Sequence, residues 1–330
     1  MPENMNEMRP GPGGPGPGPG GPRPGGPGPG GFDMMFPSNS DDYTRAYYES
    51  LLIEPRYVGS EVATTKVEYF GKTYETPIMI GPFPGMVNKE GNPGLARAAQ
   101  KAGTLYWGAH LSDSDYEAIR EEKLGFVDAS KPLHDPQVIR DRIIAAEKAG
   151  ATAFYMDIDH IFSSRTGDWE KQGPNLMGRQ TVDDLRSYAE CSGLPVIMKG
   201  ILSVHDAVLC REAGISGIVL SHHHGMLLYS VPPALALSSI RKAVGPDYTV
   251  FIDCSIESGI DAFKALALGA DGVLVARHFL TCYRDGGSEA LANRIAEMTK
   301  ELRFYLSITG SADTKHIDPS CIIPQPWNSK

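Results

Sequence analysis

The sequence predicts an α/β protein of the (β/α)8 TIM-barrel class, and three observations predict it. Eight short apolar segments recur along the chain, stretches with helical periodicity separate them, and most of those stretches close on the Ala-Gly pair that ends a helix before a following strand. Alternation of this kind builds a parallel sheet with helices outside it, and eight repeats close that sheet into a barrel. A barrel of this class gathers its chemistry at the C-terminal ends of its strands.

The elements follow in order. Residues 1 to 40 read as a disordered tail, since Pro10 to Gly31 is Pro and Gly apart from Arg23 and has nothing apolar to bury against the entropy of ordering it. Its glycines keep no strict three-residue period, which excludes a collagen helix. The FDMMF that follows is apolar enough to dock. Residues 41 to 330 form the barrel domain. DDYTRAYYESLL begins it as a short helix with acidic residues near its start, and KVEYFGKTYE reads as a hairpin turning at Gly71. The eight strands are PIMIG (77–81), TLYWGA (104–109), GFVDA (125–129), TAFYMDI (152–158), PVIMKG (195–200), GIVLS (217–221), TVFIDC (249–254) and DGVLVA (271–276). Helical stretches such as NPGLARAAQKAG, DPQVIRDRIIAAEKAG, SVHDAVLCREAG and GIDAFKALALGA lie between them, and SEALANRIAEMTKELRFYLSIT reads as the last helix.

Composition narrows the function. At 330 residues and 41% hydrophobic the chain supports one large core, and its formal charge of −9 argues against a nucleic-acid partner. The five cysteines are scattered, with no CxxC pair, which suits a reducing compartment and indicates neither a zinc knuckle nor a disulfide framework. No apolar run approaches the roughly 18 residues of a membrane helix. The expectation is a cytoplasmic protein that acts on a small molecule and contacts neither nucleic acid nor membrane.

The strand ends carry Pro82, Ala109, Asp128, Asp157, Asp159, Lys199, the run Ser221 to His224, Asp253, Ala276 and Arg277. An Asp after a strand is commonly a helix cap. Lys199 is harder to explain structurally, because an ammonium ending the apolar strand PVIM is costly to bury without an anionic partner. The three histidines could bind metal, move a proton or pack. Alternation in an extended chain projects His222 and His224 together and His223 the other way. One histidine facing the axis with Asp159 beside it suits proton abstraction. Alternation leaves open which one that is.

At this point the residues resemble a family. LPVIMKGILSVHDAVLCREAGISGIVLSHHHG and VFIDCSIESGIDAFKALALGADGVLVARHFL are similar to the FMN-dependent α-hydroxy acid oxidases and dehydrogenases, which include glycolate and lactate oxidases. The likeness extends more weakly to TPIMIGPFPGM. It implies an FMN oxidoreductase that takes a hydride from a hydroxy acid, or from a related alcohol or amine. In the family's Ser-Asn-His-Gly-Gly-Arg run, Ser221 is retained, His222 stands for Asn, His223 falls on the catalytic base, His224 stands for Gly, and Met226 replaces the arginine that grips the substrate carboxylate. Lys199 falls on the lysine that stabilises reduced flavin, Asp159 on the partner of the base, and Arg277, after Ala276, on an arginine for the FMN phosphate.

Other positions depart from the pattern. Asp253 opens the family's phosphate loop, but Cys254 and Ser255 stand for its two glycines and Glu257 for its arginine. Ala109 replaces a Ser, Ala129 a Gln, Lys131 a substrate tyrosine and Asp157 a Thr, while Arg165 lies within one residue of a second substrate arginine. The resemblance therefore implies His223, Asp159 and Lys199 as catalytic, Arg165, Met226 and Lys131 as facing substrate, and Pro82, Ala109, Asp157, Lys199, Ser221, Asp253, Ser255, Ala276 and Arg277 as facing FMN. It also implies a homo-oligomer, a tetramer by the family's habit. No metal is expected on this reading. Two others compete with it: a metal-dependent lyase or hydrolase built on Asp157, Asp159, His222 and His224, and a non-catalytic FMN-binding or scaffold barrel.

Overall fold

A computed structural model describes residues 39–109 and 111–325. The Pro/Gly tail and the FDMMF segment lie outside the described residues. The barrel strands are β1 (Ile78–Ile80), β2 (residues 106–107), β3 (Val127–Ser130), β4 (Ala153–Asp157), β5 (Val196–Ile201), β6 (Gly217–Leu220), β7 (Thr249–Ile252) and β8 (Gly272–Val275). Seven of them form one parallel sheet in the order β1-β8-β7-β6-β5-β4-β3. The remaining gap is closed by β2, which is reduced to two residues. Trp107 N donates to Ile80 O (2.9 Å), and Val127 N donates to Tyr106 O (2.8 Å). All eight strands expected from the sequence are therefore present, the second as two bridges.

Period-two alternation sorts the strand residues into two cores. Met79, Trp107, Val127, Tyr155, Ile197, Val219, Phe251 and Leu274 pack together inside the barrel. The residues between them, such as Ile78, Phe154, Met198 and Ile218, pack outward against the helices. Trp107 meets Phe251 edge-on at 5.6 Å and Tyr155 at 5.4 Å. The hairpin of Val67–Tyr69 and Lys72–Tyr74 turns at Gly71 (φ 73°) and caps the N-terminal end, where Tyr69 donates to Asp271 O.

Helices α1 (Ser40–Ser50), α2 (Gly91–Ala102), α3 (Asp113–Glu121), α4 (Pro136–Lys148), α5 (Val182–Glu190), α6 (Val204–Glu212), α7 (Pro233–Val244), α8 (Gly259–Ala267) and α9 (Arg277–Ile308) surround the strands. Their starts are local. Asp135, Ser203 and Ser258 cap α4, α6 and α8, and Ser112 and Thr181 form capping boxes with Asp115 and Asp184. The last helix differs from expectation: it begins at Arg277 and is broken at Gly287 (φ 66°, ψ −158°), where Glu90 accepts from Ser288 N. The short N-terminal helix gives up Leu51 and Leu52 to a strand, Leu51–Ile53, paired with Ile322–Pro324.

Two features position the site. First, α1 reaches the loops that follow β6, β7 and β8: Ser40 donates to Leu227 O, Arg45 to Ser255 O, and Arg277 donates to Asp41. Second, β5 bulges at Gly200, so that Val219 pairs with Lys199 and Leu220 with Ile201. Gly200 takes φ 100°, and a Cβ there would meet Asp159 Cγ at 2.5 Å, so the glycine makes room for that carboxylate.

Candidate active site

The same alternation that fills the barrel builds its mouth. Ala129, Asp157, Lys199, Ser221 and Asp253 each lie two residues beyond an interior residue, namely Val127, Tyr155, Ile197, Val219 and Phe251. They therefore face the axis at the C-terminal strand ends. None of Asp128, Asp157, Asp159 and Asp253 caps an α-helix. Asp128 instead accepts from Tyr116 Oη at 2.8 Å.

Lys199 is 2% exposed, and its ammonium is the hub. Asp157 Oδ1 lies 3.2 Å away, Asp253 Oδ2 3.5 Å, Ser221 Oγ 3.3 Å and His223 Nδ1 3.3 Å. Burial alone would lower the Lys199 pKa, but Asp157, Asp253 and Asp159 outweigh it and raise it. Asp157 bridges two ammoniums, because its other oxygen takes Lys131 Nζ at 2.8 Å. Burial would raise its pKa, yet Lys199 and then Lys131 hold it well below the usual carboxylate range.

The three histidines point in three directions, and the expectation from alternation is corrected. His223 (φ 49°) and His224 (φ 58°) are left-handed, so residues 222–224 are not extended and His222 and His224 do not project together. His222 is buried away from the axis. Its Nδ1 accepts from Gly225 N at 2.8 Å, so Nε2 carries the hydrogen and donates to Thr44 Oγ1 at 2.8 Å. Burial lowers its pKa, which keeps it neutral. His224 pairs with Asp41 at 2.5 Å. His223 alone enters the site, with Nδ1 3.2 Å from Asp159 Oδ2. An ionised carboxylate only accepts, so the Asp159 contact favours the hydrogen on Nδ1 and the lone pair on Nε2, against the pull of the Lys199 ammonium 3.3 Å from the same Nδ1. Burial would raise the Asp159 pKa, and His223 outweighs it and lowers it.

Sequence reasoning missed His160. It is 3% exposed, stands edge-on to His223 with ring centroids 4.2 Å apart, and places Nε2 at 3.1 Å from His223 Nε2. Burial, then Lys131 and His223, lower its pKa to about 3, so it stays neutral. The one signal for it in the sequence was its place beside Asp159 after the fourth strand. Asp41 and Thr44, the α1 residues that meet the site's rim, had no signal beyond helical spacing.

The ligand set expected for a metal, Asp157, Asp159, His222 and His224, does not converge, because His222 and His224 are turned away. Asp157, His160 and His223 do bring ligand atoms within 4.8 Å of one another. Two ammoniums already hold both Asp157 oxygens, which opposes a further cation. Two of the residues expected to meet substrate lie on exposed loops: Met226 is 38% exposed, and Arg165 lies in the turn between the stacked Phe162 and Trp169 rings. Pro82, Ala109 and Ala276 are half-buried at the ends of β1, β2 and β8.

Residues 38–177 and 170–324 match the family described as FMN-dependent dehydrogenase. The chain belongs to that family. It is an FMN-dependent oxidoreductase, as the resemblance implied. The L-lactate oxidase of Lysinibacillus sphaericus strain C3-41 is 28% identical over 314 residues, covering 81% of this chain and 80% of that one. The 4-hydroxymandelate oxidase of Amycolatopsis orientalis is 27% identical over 311 residues, covering 81% and 85%. A solved mandelate oxidase mutant with a monooxide FMN adduct superposes with a TM-score of 0.78 at 27% identity, covering 88% of this chain and 94% of that one.

The residues present fit FMN. Asp159 Oδ1 is buried and accepts no hydrogen bond among the described residues, and a flavin brings N–H and ribityl O–H donors. The loop after β7 keeps two successive left-handed residues, Cys254 (φ 71°) and Ser255 (φ 55°), so the turn survives where the family has two glycines. Glu257 is exposed to solvent, which screens the repulsion expected of its carboxylate. Arg277, 47% exposed, is engaged by Asp41 through one nitrogen at 2.8 Å, and its fork has further donors for a phosphate. Among the described residues no helix is long and apolar enough to cross a membrane.

Proposed function

We propose that the chain oxidises an α-hydroxy acid or a related CH–OH donor, with His223 as the base. The observation that carries this reading is the pairing of His223 Nδ1 with Asp159 Oδ2 at 3.2 Å, at the mouth and beside the Lys199 ammonium. Bound FMN supplies the two-electron acceptor for the hydride. His223 Nε2, the nitrogen left with a lone pair, takes the substrate hydroxyl proton, and Asp159 orients the ring and stabilises the imidazolium that forms. Lys199, with Ser221 and Asp253 around it, faces the flavin ring. Ser255, Ala276 and Arg277, at the ends of β7 and β8, hold the phosphate. Met226 replaces the family's clamp, so a substrate carboxylate would be met by the cations that the resemblance puts on the substrate side, Arg165 or Lys131, the latter from within its pair with Asp157.

The curated relatives act on lactate and 4-hydroxymandelate by name, and the changed clamp argues that this chain takes a different acid or a donor without a carboxylate there. The test is anaerobic reduction of the bound flavin, followed by its visible absorbance, across a panel of hydroxy acids and alcohols. Bleaching by one member of the panel, and its loss in His223→Asn with FMN retained, supports the reading. Bleaching at an unchanged rate in His223→Asn places the base elsewhere.

A further inference from the structure

The two departures at residues 131 and 157, read separately in the sequence, meet in the fold. Ser130 pairs with Met156 across β3 and β4, so the next rung sets Lys131 against Asp157, and their side chains join at 2.8 Å. The family's tyrosine and threonine at these places are uncharged, so a neutral pair has become an ion pair. Its orientation is fixed: Asp157 stands between the two lysines, with Oδ1 on Lys199 at 3.2 Å and Oδ2 on Lys131. Asp253 takes the other side of Lys199 at 3.5 Å.

The Lys199 ammonium therefore meets any ligand already partnered. Lys131 and Lys199 stand against Asp157, Asp159 and Asp253, two positive charges against three negative, and Asp157 and Lys199 are almost wholly buried. Charges so placed are weakly screened by salt, so the negative end nearest Lys199 is felt at the mouth. Reduction by hydride adds negative charge to a bound flavin, and that charge is what an unpartnered ammonium would stabilise.

We propose that the Lys131–Asp157 pair tunes the flavin site. Asp157 attenuates Lys199 and makes the bound flavin a weaker electron acceptor, while Lys131 limits that attenuation by holding the Asp157 carboxylate. Both are positioning residues that act through Lys199. The inference rests on the FMN reading above and refines it, because the chain's own substitutions set how oxidising its donor must find the flavin.

The experiment is the midpoint potential of the FMN-loaded protein by spectroelectrochemistry, in the wild type, Asp157→Asn and Lys131→Met. Asp157→Asn should shift the potential positive and Lys131→Met should shift it negative, both persisting at high ionic strength. A structural role alone gives no reason for opposite signs. Potentials that stay put, or move the same way in both variants, overturn the proposal. If Asp157→Asn does not fold, Lys131→Met decides by itself, since Asp157 keeps its Lys199 partner there: a negative shift upholds the inference, and no shift or a positive one defeats it. A wild-type protein that takes up no FMN defeats the functional reading instead, and absorbance distinguishes that failure before any potential is read.

Discussion

The interior of the barrel and its mouth are built by the same strands two residues apart, and they differ in almost every physical respect. Tyr155, Ile197 and Phe251 fill the interior with apolar and aromatic surface, whereas Asp157 and Lys199 place two buried charges, and Asp253 a half-buried one, directly above them. Burying an apolar side chain needs no partner, but burying a charge is tolerable only when the partner is present. The interior should therefore lose stability in proportion to the atoms removed. The mouth should fail according to which partner is left alone.

Lys199→Met tests this most severely. It leaves Asp157 and Asp253 facing each other without the ammonium between them, and breaking a buried pair in this way costs about 3–5 kcal/mol. Urea unfolding should register that loss, together with weaker FMN uptake. A loss under about 1 kcal/mol would mean the cluster behaves as a surface network. Phe251→Ala should cost a similar 3–5 kcal/mol or so by opening a cavity against Trp107 and Tyr69. At temperatures where it stays folded, this variant should bind FMN stoichiometrically.

His223→Asn separates the regions from the other side. Turnover should fall by about 10²–10⁴, the worth of a positioned base, while FMN content and urea midpoint stay near those of the wild type. A midpoint that collapses with the activity would assign His223 to the scaffold. Arg277→Ala should act more mildly, weakening FMN about 10- to 100-fold through one charge-assisted contact. Fluorescence titration of the apoprotein measures this, and unchanged affinity would leave Arg277 to Asp41 alone.

What was legible in the sequence follows the same division. Strand alternation is local, so the eight strands, the interior and the inward aim of Asp157, Lys199, Ser221 and Asp253 could all be derived from spacing. The histidines could not, because alternation holds only while the chain is extended, and it leaves that conformation at His223 and His224. The Lys131–Asp157 pair was invisible for a different reason: its members are 26 residues apart and meet only through the β3–β4 register. The contact of α1 with the rim depends on tertiary packing, as Thr44 finding His222 across 178 residues illustrates.

His160 gives the smallest and most specific test, since it belongs to the mouth and yet is neutral. Its pKa in the fold is about 3 against an ordinary 6.5. Between those values the unfolded chain binds a proton at this position that the folded chain refuses, so stability declines as pH falls from about 6.5 towards 3. The lowered carboxylates Asp157 and Asp159 act in the same direction, but their contribution is lost only below the ordinary carboxylate range. Their effect is therefore separated from His160's at pH 5. His222 and His278 are depressed as well and supply part of the same slope, so the informative quantity is the difference between variants. His160→Gln should flatten the fall in urea stability between pH 7 and pH 4.5 while leaving the His222 and His278 part in place. An unchanged slope would mean that His160 gains a proton in the folded mouth, with Asp157 and Asp159 as the acceptors that stabilise it, and the mouth would then carry an imidazolium beside its base rather than a neutral ring.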